Sequence, residues 1–505
     1  MNFGGSGVAH FTHVTTLGLG ATSGLPHLQG LRDLDMLAIN GETYLYSASE
    51  ATGGMNVFDI SNGPATHVDA LDYSGAHGTL GLTQITLGTV DAQNALFPSG
   101  RYDNRMAVHN LDEDGSFNGT KYLGASPTNI GAFDHTLLLQ LNGKSFLVAA
   151  QHDQPGYRHF EVRDDLSLAF KKHTPDTPDN YLDDITAMAQ GTVDGKTYFF
   201  TADGVGDGIS SYWMGRYGNI KERDSIGAAD GFAINAPSAL DTALVDGNLF
   251  VLAGGAGSHT LSALKVNTYG GLFETDTQLD SRDTRFGGIS AVETVMVGDR
   301  AFVLAGGSDD GLSLFELSSD GRLHHLTSIA DENDTTLQNV STISARAIGS
   351  ELQVFVAGSD TGITQFNVDL GLLGASVNGN DLDNVLTGTA LNDLLVGRDG
   401  DDIFNGAAGD DRIIDGAGVD LMTGGAGADV FVFTPDNRMD TVTDFDLEED
   451  VLDLTAFPML YDMSRLSFTQ KGYGVLIEYG ADRFRVEDDD TTLQVADFTE
   501  DHFVF

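Results

Sequence analysis

Cysteine is absent from the 505-residue chain, tryptophan occurs once, proline ten times, and 26 basic residues stand against 74 acidic ones. Without thiols, neither a disulfide framework nor a thiolate metal site is available. The net charge of -48 repels polyanions, which removes nucleic acid and anionic membrane as direct partners and leaves cations as the natural ones. No apolar run reaches the roughly 18 residues that a membrane-spanning helix needs. The opening "MNFGGSGVAHFTHVTTLG" has no basic start followed by an apolar stretch, so no cleavable secretory signal is expected there. Enzyme signatures are missing as well. There is no H-E-x-x-H for zinc, no G-x-S-x-G nucleophile elbow, and no long apolar helical region of the pore-forming kind. "GGAGSHT" (254–260) lacks the Gly-Lys pair of a phosphate loop and reads as a turn between strands.

Glycine is abundant, at 63 residues, and the hydrophobic share of 41% is enough to bury a core. Many glycines with few prolines indicate tight turns between strands, so the expected class is all-β in two or three domains.

From residue 31 to about 370 one pattern recurs. An apolar strand ends in small residues, a Gly/Asp loop follows, and an alternating strand, a turn and a further strand complete the unit. The small residues are Ala48, Ser99, Ala150, Ala202, Gly254, Gly306 and Gly358, spaced by 51 or 52. So constant a period over seven copies means a closed or stacked array. Four strands per unit suit a propeller blade, with stretches such as "RLHHLTSI" (322–329) outermost. The seventh unit lacks that strand, and "HFTHVTTL" (10–17) has the length and pattern to supply it, closing the ring without an exposed edge. The pattern resembles seven-bladed β-propellers over roughly residues 8–370. The Gly-His and Trp-Asp signatures of WD40 blades are absent, and "AGG" at 253–255 and 305–307 lacks the Tyr and Trp that follow it in kelch blades. The resemblance therefore implies an architecture, and activity has to be argued from a site.

Six nine-residue units follow: "GNDLDNVLT", "GTALNDLLV", "GRDGDDIFN", "GAAGDDRII", "DGAGVDLMT" and "GGAGADVFV", beginning at residue 379. The sixth position is Asn384, then Asp393, Asp402, Asp411, Asp420 and Asp429, and the eighth is always apolar. Gly400, Gly409, Gly418 and Gly427 hold the fourth position, where Leu382 and Leu391 stand in the first two units. Glycine permits a tight turn in which carbonyl oxygens converge, and the Asp adds a hard anionic oxygen beside them. Such an all-oxygen cage of flexible geometry suits calcium better than magnesium. Ordering nine residues costs on the order of 9–18 kcal/mol, and burying one Leu or Phe returns only about 1.5–3 kcal/mol. Apolar burial alone therefore fails, and metal-dependent folding is expected. The units resemble the RTX, or hemolysin-type calcium-binding, repeat. That resemblance implies a parallel β-roll with calcium ions between its turns, held at the sixth-position residues and the fourth-position glycines named above.

"DTVTDFDLEEDVLDLTAF" (440–457) is similar to the segment that caps many RTX rolls; Asp440, Asp444 and Asp446 read either as a further ion site or as a solvated acidic turn. The remainder alternates as strands and ends in "FVF". Such a tail looks like the uncleaved C-terminal signal read by type I secretion machinery, which implies an extracellular protein, secreted or surface-associated, of a Gram-negative bacterium. From Val377 onward 29 acidic and 7 basic residues leave a charge of -22, suited to surroundings rich in calcium. The expected organisation is a propeller at 1–372, a nonapeptide roll at 373–435 and a cap with the secretion signal at 436–505.

Polar residues also gather where a propeller's loops and channel mouth lie: Asp33, Asp35, Arg101, Asp134, His135, His152, Asp183 and Asp184. They form either a binding or metal site at the channel mouth or the ordinary polar loops of an acidic protein. Two function classes stay open. One is a calcium-binding protein whose propeller adheres to a glycan or a surface protein; the other is a propeller hydrolase, phosphatase- or lactonase-like, with a channel metal. Ligands clustered in the channel favour the enzyme, and an exposed aromatic rim favours adhesion.

Overall fold

A computed structural model describes residues 9–72, 81–102, 106–123, 133–151, 154–178, 180–488 and 493–505. The chain divides into two compact units, Phe11–Val368 and Asp369–Phe505.

The first unit is a seven-bladed propeller. Six four-stranded antiparallel sheets, blades 1 to 6, occupy 31–71, 82–123, 133–174, 185–227, 237–279 and 291–330. Blade 7 takes three strands from 342–369, and His10–Leu17 pairs with Ile363–Asp369 as its fourth. The strands that end in small residues, such as Glu42–Ser49 and Asn248–Gly255, are second in each blade and buried almost throughout, because both their faces are covered by neighbouring blades. A further strand precedes each of them, and these first strands pack on one another around the ring, with Thr342–Ile348 against Leu31–Ile39 closing it. Their weak apolar pattern has a physical reason: polar side chains along them bond from blade to blade. Thr83 Oγ1 donates to the Asp134 carbonyl (2.8 Å), and Thr186, Ser238 and Ser290 repeat the contact on the blades that follow. Ser341 Oγ donates to the Leu31 carbonyl (2.9 Å), joining the last blade to the first.

The second unit is a parallel β-roll and its cap. Leu373–Asn378, Asn392–Val396, Arg412–Ile414, Val430–Val432, Val451–Asp453 and Phe503–Val504 form one parallel sheet. Val385–Thr387, Ile403–Ala408, Leu421–Ala426, Met439–Val442 and Asp482–Val486 form the facing parallel run, which continues as an antiparallel hairpin to Ser467–Lys471. Two nonads make one turn, so Leu395 pairs with Ile413 and Ile413 with Phe431, each 18 residues on. The eighth-position residues Leu386, Leu395, Phe404, Ile413, Met422 and Phe431 fill the interior. Residues 433–503 add fifteen further buried side chains to the same cluster, among them Phe445, Phe457 and Phe484.

His10–Leu17 covers the edge of Ile363–Asp369 and buries Leu17 with Leu28, Phe355 and Ile363. Deleting residues 1–17 should therefore lower the propeller's unfolding midpoint and promote edge-to-edge association. Calorimetry and light scattering read both; an unchanged midpoint in a monomeric chain would mean that the strand contributes nothing.

Candidate metal centre

Each turn of the roll brings its fifth and sixth residues beside those of the next turn, and their carboxylates bond in opposite directions. At the sixth position the side chain reaches one turn back. Asp402 Oδ1 accepts the Asn384 N–H (2.7 Å), Asp411 Oδ1 that of Asp393 (2.8 Å), Asp420 Oδ1 that of Asp402 (2.7 Å) and Asp429 Oδ1 that of Asp411 (2.8 Å). At the fifth position it reaches one turn forward: Asp383 Oδ1 accepts the Asp401 N–H (3.0 Å), Asn392 Oδ1 that of Asp410 (2.9 Å), and Asp401 and Asp410 those of Val419 and Ala428 (both 2.9 Å). A carboxylate that accepts a backbone N–H makes one of the stronger protein hydrogen bonds, so each acidic pair clamps the turns on both sides of it.

The fourth-position glycines make this stacking tight enough. Gly409 and Gly427 adopt φ of +109° and +134°, and a Cβ on either would collide with the backbone of the preceding turn, at Leu391 and Gly409 respectively. Gly400 and Gly418 sit equally close to Leu382 and Gly400. Leu382 precedes Val385–Thr387, the first strand of its sheet, and Leu391 precedes Asn392–Val396, beneath which only Leu373–Asn378 is paired; both leucines are exposed.

The other carboxylate oxygens separate the two ends of the roll. At the start, Asn384 Oδ1 accepts the Asn380 N–H (2.7 Å), while Asp393 accepts from the Ala375 and Thr389 N–H groups, the latter at 2.6 Å. Further on, Oδ2 of Asp402, Asp420 and Asp429 is buried with no hydrogen-bond partner. A Cβ on Gly397 would collide with Asp402 Oδ2 and with the Asp415 carbonyl, and one on Gly406 with Asp411 Oδ2 and the Gly424 carbonyl. Anionic and carbonyl oxygens thus converge beside the first-position glycine, in a hard all-oxygen set that fits calcium. Asp402, Asp411, Asp420 and Asp429, with the neighbouring carbonyls, are the residues that would hold it. Bound calcium would supply the positive charge that these buried oxygens lack.

Burial, followed by the charges of neighbouring aspartates, raises the carboxyls. Asp420 is pushed up to about 7 and Asp429 to about 8. Asp440 and Asp450 are likewise raised to about 7. The last two extend the ladder beyond the nonads: Asp440 Oδ1 accepts the Asp420 N–H (3.0 Å) and Asp450 Oδ1 that of Asp429 (2.9 Å). Reading by nines misses Asp450, because the intervals here stretch to 20 and 21 residues. The signal that finds it is the Asp-x-apolar-x tetrad, present at 440–443 and again at 450–453. Asp444 takes a different part, accepting the Gly424 and Gly425 N–H groups (3.0 and 2.8 Å), and Asp446 accepts that of Glu448 (2.8 Å).

In the propeller, Asp33 and Asp35 lie on the first strand of blade 1. They accept the Ile85 and Leu87 N–H groups of blade 2 (2.8 and 3.3 Å). Asp241 and Glu293 bond blades 5 and 6 to their successors in the same way, through the Thr294 and Ala345 N–H groups. Burial raises all four, Asp35 and Asp241 to about 6, and Glu293 also feels the charges of Asp241, Asp35 and Asp33. Arg101 pairs with Asp134 (3.1 Å), beside His135 on the first strand of blade 3. Asp183 and Asp184 donate their N–H groups to the Asp203 carboxylate (2.7 and 3.0 Å). These contacts lie at blades 1 and 2, at blades 2 and 3, and before blade 4; His152 lies outside the described residues. Among the described residues, the only three potential metal ligands gathered within 4.8 Å of one another are Asp415, Asp420 and Asp440, in the roll. Blades 4 and 5 each carry aromatic rings beside cationic groups. Tyr217 and Tyr269 occupy equivalent turns and are 69% and 76% exposed. The Lys196 ammonium lies 5.3 Å from the Tyr269 ring, and the Arg223 guanidinium 5.2 Å from that of Trp213.

The family model of the RTX calcium-binding nonapeptide repeat matches residues 378–413 and 406–437, described as four copies. No curated protein matches the chain. Among solved structures, a functionally unknown protein from Desulfotomaculum acetoxidans is 13% identical, with 66% of this chain and 90% of that one covered and a TM-score of 0.43. The Dos1 propeller is 10% identical over 66% and 78%, with a TM-score of 0.43. A protein from Lactobacillus plantarum is 14% identical over 62% and 94%, also at 0.43. At these identities nothing about activity passes across.

The raised carboxyls set a pH dependence. Below the ordinary value of 3.8 each contributes fully to the stability of the metal-free roll as a neutral acid, and that contribution is lost as pH rises through about 7 to 8. In chelator, strand circular dichroism from the roll should therefore fall between about pH 6 and 9, and saturating calcium should remove the fall. A metal-free roll indifferent to pH over that range would contradict the electrostatic account.

Proposed function

We propose that this chain, a seven-bladed propeller followed by RTX calcium-binding nonapeptide repeats, is a secreted protein. In this reading its roll folds on calcium outside the cell and its propeller holds a glycan of a surface or matrix. The observation that carries the calcium part is the ladder of buried aspartates whose second oxygens, at Asp402, Asp420 and Asp429, face no protein partner. Unmet buried charge of this kind disfavours the folded roll where calcium is scarce, as in cytosol, and is relieved at the roughly 0.1 to 1 mM affinities typical of extracellular modules. An unfolded, strongly acidic tail suits passage through type I secretion machinery of a Gram-negative cell, with folding on arrival.

For the propeller, adhesion is favoured over hydrolysis by the exposed Tyr217 and Tyr269 and by Trp213 with its stacked arginine. Aromatic faces flanked by cations suit sugar rings and their acidic substituents. The first-strand carboxylates Asp33, Asp35, Asp241 and Glu293 are each engaged by a backbone N–H of the next blade, which fits a structural role.

Calorimetry and circular dichroism of the full chain test the calcium reading. In excess EGTA the roll's transition should disappear while the propeller's stays, and calcium should restore it; a roll transition indifferent to EGTA would refute the reading. Retention on immobilised acidic and neutral polysaccharides tests the second part. Tyr217→Ala with Tyr269→Ala should weaken retention by about tenfold, a loss of about 1.4 kcal/mol, without moving the propeller's midpoint. Equal retention of the double variant, or no retention of the parent chain on any polysaccharide, would overturn the adhesive role.

A further inference from the structure

Asp415 holds the first position of its nonad, where the other five units have glycine. Elsewhere that position has no room: a Cβ at Gly424 would collide with Asp429 Oδ2, as one at Gly406 would with Asp411 Oδ2. At Asp415 the following turn is longer, with Asp440 twenty residues beyond Asp420 instead of eighteen, and a side chain is accommodated. That side chain is fully buried, with Asp420 and Asp440 1% and 3% exposed beside it. One carboxylate oxygen from each of the three lies within 4.8 Å of the other two.

The hydrogen bonds leave this cluster unfinished. Asp415 Oδ1 accepts the Gly416 and Thr434 N–H groups (2.5 and 2.9 Å), and Asp420 and Asp440 use Oδ1 in the ladder. Oδ2 of Asp415 and Oδ2 of Asp420 are buried and have no partner. Burial and the charges of Asp440 and Asp420 raise the Asp415 carboxyl well above its ordinary range. Oxygens within 4.8 Å of one another fit around a single ion at the calcium–oxygen distance of about 2.3–2.6 Å.

We propose that Asp415, Asp420 and Asp440 form a three-carboxylate calcium site of their own, which repeats with glycine in the first position cannot form. This rests on the calcium reading of the roll and adds to it a specific, tighter site. Affinity among calcium sites rises with the number of charged ligands, so this ion is the last removed by chelator. Asp420 precedes Leu421–Ala426 and Asp440 lies on Met439–Val442, strands paired in parallel. The ion therefore ties the last turns of nonads to the first strand after them.

Calcium titration of the full chain in EGTA buffers, with ion counting by equilibrium dialysis, tests the site. The parent chain should show one ion bound more tightly than the rest. Asp415→Gly, which restores the residue of the other units, and Asp415→Asn should each lose that ion or weaken it at least ~10-fold, with the remaining ions and the circular dichroism in saturating calcium unchanged. If Asp415→Asn binds as many ions as tightly as the parent, the site does not exist. If the parent binds no calcium, the reading of the whole roll fails, which is a different result. Crystals of the parent chain grown with calcium decide independently of how the variants fold. An anomalous peak about 2.3–2.6 Å from all three carboxylates supports the site, and peaks confined to the glycine-bearing positions, or none, overturn it.

Discussion

The roll depends on one interaction: a buried aspartate carboxylate accepting a backbone N–H from the adjacent turn. It fixes the turn at 18 residues, because the sixth-position Oδ1 finds its donor only at the sixth position one turn back. It also explains why like charges are stacked. An apolar side chain of similar size would leave the N–H unsatisfied, and a neutral amide would satisfy it without supplying an anionic oxygen to a cation. The second oxygen is where stability meets ion binding. Burial makes it costly, and the same burial makes a hard cation beside it worth more than it would be in water.

The propeller joins its repeats by the same logic with a different balance of charge. Between blades, hydroxyls of Thr83, Thr186, Ser238, Ser290 and Ser341 donate to carbonyls, a neutral contact that asks for no ion. Carboxylates cross between blades as well: Asp33, Asp35, Asp241 and Glu293 on first strands, and Asp69, Asp224 and Asp276 on fourth strands, each accept a backbone N–H of the next blade. Seven blades each bury a second strand on both faces, so apolar area carries the stability there. In every nonad only the eighth residue reaches the central core. One chain thus contains two repeat architectures, one held by its filling and the other by its clamps.

Much of this was legible in the sequence, and the failures have physical causes. The 51 or 52 residue period showed because the buried second strands are continuously apolar, and the nonads showed because glycine and aspartate recur without a gap. The first strand of each blade was obscure: residues such as Asp33, Gln84 and Glu293 turn toward the next blade's backbone and break the apolar alternation. Asp450 was hidden by the longer turns beyond residue 432, and Asp415 by standing where the repeat has glycine. The sixth-position aspartates could be found by spacing alone. The opposite directions of the two ladders could not, because direction depends on rotamers that a one-dimensional pattern does not encode.

The two sources of stability in the second unit lie at the same end. Of the twenty-one buried residues in its core, six come from the nonads and fifteen from 433–503, so apolar burial is concentrated beyond the repeats. The buried carboxylate oxygens without partners lie from Asp402 onward, at Asp402, Asp415, Asp420 and Asp429, whereas Asn384 and Asp393 are satisfied by nearby N–H groups. The demand for cation therefore falls along the roll toward its first turn. The first turn has the least unmet charge, and it is where exposed leucines stand in place of the fourth-position glycine. A repeat protein built from marginal units needs one end that is stable without its neighbours; here that end is the segment after the nonads, where core and charge meet.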